Sequence, residues 1–116
     1  MTSLAEQTRD TLRELGIAPR KALGQNFLVS ERVVNDIIQL IDPQPDDQMV
    51  EVGGGLGVLT LALAPRVGRY VVFELDRAMN PYLATQLASI PTATVLGDAL
   101  AEWPDAMPLL DPTRPV

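Results

Sequence analysis

Apolar positions along this chain alternate between two spacings. Val33, Val34, Ile37, Ile38 and Ile41 recur at helical intervals behind a capping Ser30 and predict a helix over 30–41. Asp42-Pro43-Gln44-Pro45-Asp46-Asp47 stops it. Short apolar runs follow at about 48–52, 70–74 and 94–96, the second (Tyr-Val-Val-Phe-Glu) nearly uninterrupted, as in a strand covered on both faces. Helix-compatible segments lie between them at about 57–64 and 77–89, with Pro81 early in the second, where its missing N–H is tolerated. An earlier helix over 3–15 is framed by Ser3, by Glu6 three residues on and by Gly16. Its apolar stripe, Leu4, Leu12 and Leu15, is thin and names no packing partner. Strand, helix, strand, helix, strand is the order of an α/β chain with a parallel sheet, and right-handed crossovers set the three strands side by side.

The break between the first strand and its helix carries the chemistry. Glu51-Val52-Gly53-Gly54-Gly55-Leu56-Gly57 runs from strand into a glycine turn and on into a helix. Gly53, Gly55 and Gly57 remove Cβ atoms where backbone must turn and a ligand must approach. A dinucleotide fingerprint reads Gly-x-Gly-x-x-Gly. Here Val58 stands at its third glycine, and Glu51 would repel a pyrophosphate. A carboxylate at that place suits a ligand with a cationic group, such as the sulfonium amino-acid end of S-adenosylmethionine. The plain alternative is a glycine turn without a ligand. An NAD-dependent dehydrogenase is disfavoured by the same spacing and by Glu51.

Two more carboxylates close strands. Glu74 ends the second, 21 residues after Gly53, and a carboxylate there accepts hydrogen bonds from both hydroxyls of a ribose. Asp98 ends the third behind Gly97, where it could take the amino group of an adenine or cap the following turn. Asp76 reads as solvated or helix-capping. Glu51, Glu74 and Asp98 together suit a cationic, hydroxyl-rich, amine-bearing ligand better than a phosphate.

Composition narrows the chemistry further. The chain has 116 residues, one domain at most, and holds neither Cys nor His. That removes disulfides, thiolate metal sites and the usual general base. With five aromatic residues the core must be aliphatic. No run approaches a membrane span, so a soluble cytoplasmic chain is expected. The net charge of −6 is uneven: residues 1–32 carry +1 and the remainder −7. If the chain meets nucleic acid, its amino-terminal segment is the only plausible surface, although Arg9 and Arg13 alone could equally be solvated, paired charges.

Lys21-Ala22-Leu23-Gly24-Gln25-Asn26-Phe27-Leu28, the glycine turn, Glu74-Leu75-Asp76 and Gly97-Asp98-Ala99-Leu100 together resemble the ribosomal RNA adenine dimethyltransferase family. The likeness runs from about Arg20 to Leu100 and favours the small-subunit branch over the large-subunit resistance branch. It implies a partial Rossmann-like S-adenosylmethionine-dependent methyltransferase fold, three parallel strands with flanking helices. The implied function is dimethylation of adenosine N6 in small-subunit ribosomal RNA, with the small ribosomal subunit as partner and neither metal nor membrane. The resemblance assigns Asn26 and Leu28 to the methionine end, Gln25 to the pocket entrance, Gly53 and Gly55 to the turn, Glu74 to the ribose and Asp98 to the adenine amine.

The chain departs from the family in two ways. Gly54 stands where the family usually has Pro, and the family's base-holding Asn-Leu-Pro-Tyr does not occur. The chain therefore looks like an amino-terminal half. Residues 1–29 form a helix and cofactor-closing segment, 30–100 half of a methyltransferase domain, and 101–116 a proline-rich truncated tail. No catalytic residue is assigned, and inactivity alone is expected. A non-catalytic cofactor- or RNA-binding fragment, or a ribosome-assembly factor, is the alternative. Four prolines in thirteen residues near the end argue against another long element there.

Overall fold

The computed structural model describes residues 2–18 and 29–116. Helix α1 (Leu4–Glu14) opens on a complete capping box: Ser3 Oγ accepts from the Glu6 amide, and Glu6 Oε2 accepts from the Ser3 amide. Gly16, in the left-handed region, ends it. The partner of its thin stripe is now visible. Leu12 is fully buried against Leu56 and Met79, with Leu15, Ile17 and Tyr82 beside them. Helix α1 therefore lies over the exit of the glycine turn.

Helix α2 (Glu31–Ile41) is capped by Ser30 and stops at Asp42, whose φ of +48° is left-handed. Strand β1 (Gln48–Val52), α3 (Val58–Leu63), a 3₁₀ turn (Ala64–Arg66), β2 (Arg69–Phe73), α4 (Met79–Gln86) and β3 (Ala93–Leu96) follow. The three strands form a parallel sheet in the order β1-β2-β3, with Val50 beside Val71 and Phe73 beside Leu96. Both the parallel arrangement and the side-by-side order match the sequence reading.

Alternation along the strands divides the core into two layers. Tyr70 and Val72 face Leu63, Leu83 and Leu87, with Ile38, Met49 and Val95 packed against them. Val71 and Phe73 face Ala106 and Leu110, with Val50 and Leu96 alongside. Each layer is aliphatic apart from single aromatic side chains, as the composition requires.

The carboxyl-terminal segment is more ordered than its prolines imply. Helix α5 (Ala99–Ala106) holds Pro104 inside it and runs into a second 3₁₀ turn (Met107–Leu109). Proline there forfeits one helical bond, to the Leu100 carbonyl four residues back, and Leu100 is 96% exposed. Burial of Ala106 and Leu110 and stacking of Trp103 on Phe73 (5.9 Å between ring centroids) hold the helix to the sheet. Gln48, almost fully buried, holds the tail: its amide nitrogen donates to the carbonyls of Asp111 (3.0 Å) and Arg114 (3.3 Å), and its oxygen accepts from the Asp111 amide. Among the described residues no helix is long and apolar enough to cross a membrane.

Candidate functional site

The glycine turn lies across the carboxyl end of β2. The amides of Gly53 and Gly54 both donate to the Phe73 carbonyl, at 2.8 and 3.2 Å. Gly57, at φ +85°, then leads directly into α3, a conformation that is strained for any residue with a Cβ. Gly54 has a different reason to be glycine: a Cβ there would lie 2.5 Å from a Val72 methyl and 2.8 Å from a Leu83 methyl. Close packing of the turn on the core therefore leaves no space for a side chain at this position.

Glu74 follows β2 immediately and reaches the turn. Its Oε1 accepts from the Gly55 amide at 2.6 Å and its Oε2 from the Asp76 amide at 2.9 Å. Its own amide donates to the Leu96 carbonyl, and its carbonyl accepts from Asn80 Nδ2 at 2.9 Å. The carboxylate is thus fixed in position by backbone donors while each oxygen retains acceptor capacity. Charge-assisted bonds of this kind are among the stronger ones available to a half-buried side chain. Gly53, Gly55 and Glu74, expected to share a site, are together in space.

Asp98 lies one position beyond the residue level with Glu74, at the end of the neighbouring strand. Its Oδ1 accepts from the Leu100 amide at 2.9 Å, so it is the N-cap of α5. Its geometry displays the capping role, with Oδ2 outside that bond. The close approach permitted by Gly97 is taken by Glu102, whose carboxylate accepts from the Asp98 amide and would meet a Cβ on residue 97. Asp76 caps the entry to α4, accepting at Oδ1 from the amides of Ala78 (2.8 Å) and Met79 (2.9 Å).

Glu51 requires a correction. The sequence pattern groups it with Glu74 and Asp98 around one ligand. Strand alternation instead turns it, like Met49, to the face covered by α3. There its Oε1 accepts from Thr60 Oγ1 and from the Tyr70 hydroxyl, each at 2.6 Å. Two hydroxyl donors compensate the partial burial of the carboxylate. Burial of Tyr70 and the adjacent Glu51 charge push the phenol well above its ordinary range. The bonded trio cross-links β1, β2 and α3 directly beneath the glycine turn.

Asn26 and Leu28, together with Gln25, lie outside the described residues. Sequence reasoning missed Asn80, whose side chain joins the ends of two strands, and Glu102. Asn80-Pro81 reads as turn chemistry in sequence, and a carboxylate four residues after Asp98 has no distinctive signature.

The sequence pattern of the ribosomal RNA adenine dimethylase family matches residues 17–103. Among curated relatives, ribosomal RNA small subunit methyltransferase A of Verminephrobacter eiseniae is 41% identical over 118 aligned positions, covering 98% of this chain and 40% of the relative. The protein of the same name from Pelotomaculum thermopropionicum is 43% identical over 93, covering 79% of this chain and 32% of the relative. The chain thus spans 32% to 40% of the length of these two relatives. Among solved structures, the 23S rRNA methyltransferase ErmE superposes with a TM-score of 0.58 at 30% identity, over 65% of this chain and 31% of that one. The O-methyltransferase TomG from Streptomyces achromogenes, solved in complex with SAM, superposes over 99% of this chain and 49% of its own, with a TM-score of 0.60. At 21% identity it speaks for the fold alone.

Proposed function

Because this chain belongs to the ribosomal RNA adenine dimethylase family, we propose that it carries the S-adenosylmethionine-binding part of an enzyme that dimethylates adenosine N6 in small-subunit ribosomal RNA. The small ribosomal subunit is its partner, and the cytoplasm is where it acts. The observation that carries the cofactor reading is the Glu74 carboxylate, held by the Gly55 and Asp76 amides beside a turn in which Gly53 has open space where a Cβ would stand.

The acceptor set fits a sulfonium nucleoside. Glu74 takes the two ribose hydroxyls, since an ionised carboxylate accepts several hydrogen bonds at once. Asp98 accepts from the adenine amine through Oδ2, its Oδ1 remaining on the α5 cap. Gly53 and Gly55 bring backbone rather than side chains to the ligand's flank. Asn26 and Leu28 take the methionine end, a role assigned by family likeness. When bound, the cofactor supplies an electrophilic methyl group on sulfur. The work of this chain is to orient that group and to exclude water from one side of it.

Methyl transfer to a base further requires that the base be extruded and its amine held in line. The 116 residues contain no Asn-Leu-Pro-Tyr. We therefore assign cofactor binding without transfer to this polypeptide on its own, which is also what a non-catalytic binding fragment or an assembly factor would display. Calorimetry with S-adenosylmethionine tests the reading: saturable binding supports it, and a folded chain that releases no binding heat refutes it. Methyl incorporation into small-subunit RNA by the purified 116-residue chain would refute the restriction to binding.

A further inference from the structure

We propose that Asn80 is a positioning residue that sets the width of the nucleoside crevice by tying together the carboxyl ends of β2 and β3. The inference rests on the assignment of Glu74 and Asp98 to the nucleoside and adds a residue that the sequence reading does not supply. Parallel strands twist apart at their ends, and ligands of open α/β sheets sit in the opening beyond those ends. Regular pairing of β2 with β3 stops at Phe73 and Leu96. One further rung exists, from the Glu74 amide to the Leu96 carbonyl at 2.9 Å.

Asn80, in the first turn of α4, extends this closure with its side chain. Its Nδ2 donates to the Glu74 carbonyl at 2.9 Å and to the Leu96 carbonyl at 3.1 Å. A side-chain amide has two donors on one nitrogen, and both acceptors here are carbonyl oxygens, so its orientation is fixed by its partners. Leu96 directly precedes Gly97 and Asp98. Asn80 therefore holds, through one nitrogen, the backbone that carries the ribose contact and the backbone that leads into the adenine contact. Its own amide donates to Asp76, which caps the same turn, so the clamp is anchored at its helix end. The Glu74 backbone is bonded at both N–H and C=O, which leaves its carboxylate little freedom to leave the Gly55 amide.

The test uses the full 116-residue chain with S-adenosylmethionine as the titrant. Asn80→Leu keeps the branched shape of the side chain and removes both donors, and the affinity is expected to fall about tenfold. Positioning through Glu74 also predicts non-additivity: Asn80→Leu on top of Glu74→Gln should bind no more weakly than Glu74→Gln alone. Hydrogen exchange should quicken at the amides of Glu74 and Gly55, while those of Val50 and Val72 keep their protection. If circular dichroism finds Asn80→Leu unfolded, Asn80→Ser, which retains one hydroxyl donor, takes its place with an expected loss of about threefold. Undiminished affinity in a folded variant, or losses that add in the double variant, would overturn the positioning role while leaving the cofactor reading intact. Failure of the unaltered chain to bind overturns both.

Discussion

Replacing Glu74 with Gln changes one atom and isolates the contribution of the carboxylate. The side chain now receives two backbone donors on two oxygens, from Gly55 at 2.6 Å and from Asp76 at 2.9 Å. An amide offers one acceptor oxygen, so in Glu74→Gln one of those N–H groups faces an NH₂. A donor left without a partner costs about 1–3 kcal/mol, toward the lower end where water reaches it, as it does at this half-buried residue. The ribose contact loses its charge assistance as well, roughly another 1 kcal/mol. Were the whole of this total, near 2–3 kcal/mol, expressed in binding, S-adenosylmethionine would weaken by roughly 30- to 150-fold, the upper bound. Titration calorimetry measures this, and thermal melting separates it from global destabilisation. A variant that binds within about threefold of the unaltered chain would refute the argument that this carboxylate grips the nucleoside.

Other positions yield sharp expectations. Gly57→Ala places a Cβ at φ +85° and 2.7 Å from a methyl of fully buried Leu83, so chemical denaturation should report a loss of about 2–4 kcal/mol. Tyr70→Phe leaves Glu51 Oε1 with Thr60 alone and should cost about 1–2 kcal/mol at neutral pH. The phenol's folded-state pKa is raised, so its stabilising effect is full below the unfolded value near 10 and is lost as pH rises beyond it; denaturation curves of Tyr70→Phe should fall less steeply above about pH 10 than those of the unaltered chain. Gln48→Leu removes the side-chain bonds to Asp111 and Arg114, and proton exchange at the Asp111 amide should accelerate at least tenfold while β2 amides keep their protection.

The elements that were legible in the sequence are those whose signal is local. Strand β1 falls on Gln48–Val52 as its apolar run indicates, and Ser3 and Ser30 cap the helices they precede. The glycine turn and Glu74 could be paired because a strand, a turn and a crossover of ordinary length bring their ends to one edge of the sheet. The setting of Glu51 is not legible because its partners, Thr60 and Tyr70, lie 9 and 19 residues away, and alternation along β1 alone does not say which face α3 covers. Helix α5 was obscured by prolines, since its support comes from Asp98 as cap and from burial of Ala106 against β2. The resting place of α1 depended on Leu56 and Met79, distant residues that a three-leucine stripe cannot name. Asn80 bonds to backbone carbonyls, which leaves no pattern in side-chain identity.

The central claim is that a sulfonium nucleoside lodges where the three strands end. Amide chemical-shift mapping of the isotope-labelled chain during titration with S-adenosylmethionine tests it most directly. The account predicts that the largest saturable shifts fall at residues 53–57, 74–76 and 97–99. Shifts concentrated at the opposite end of the sheet, around Gly68 and Arg114, or no saturable shift in a folded chain, would contradict it.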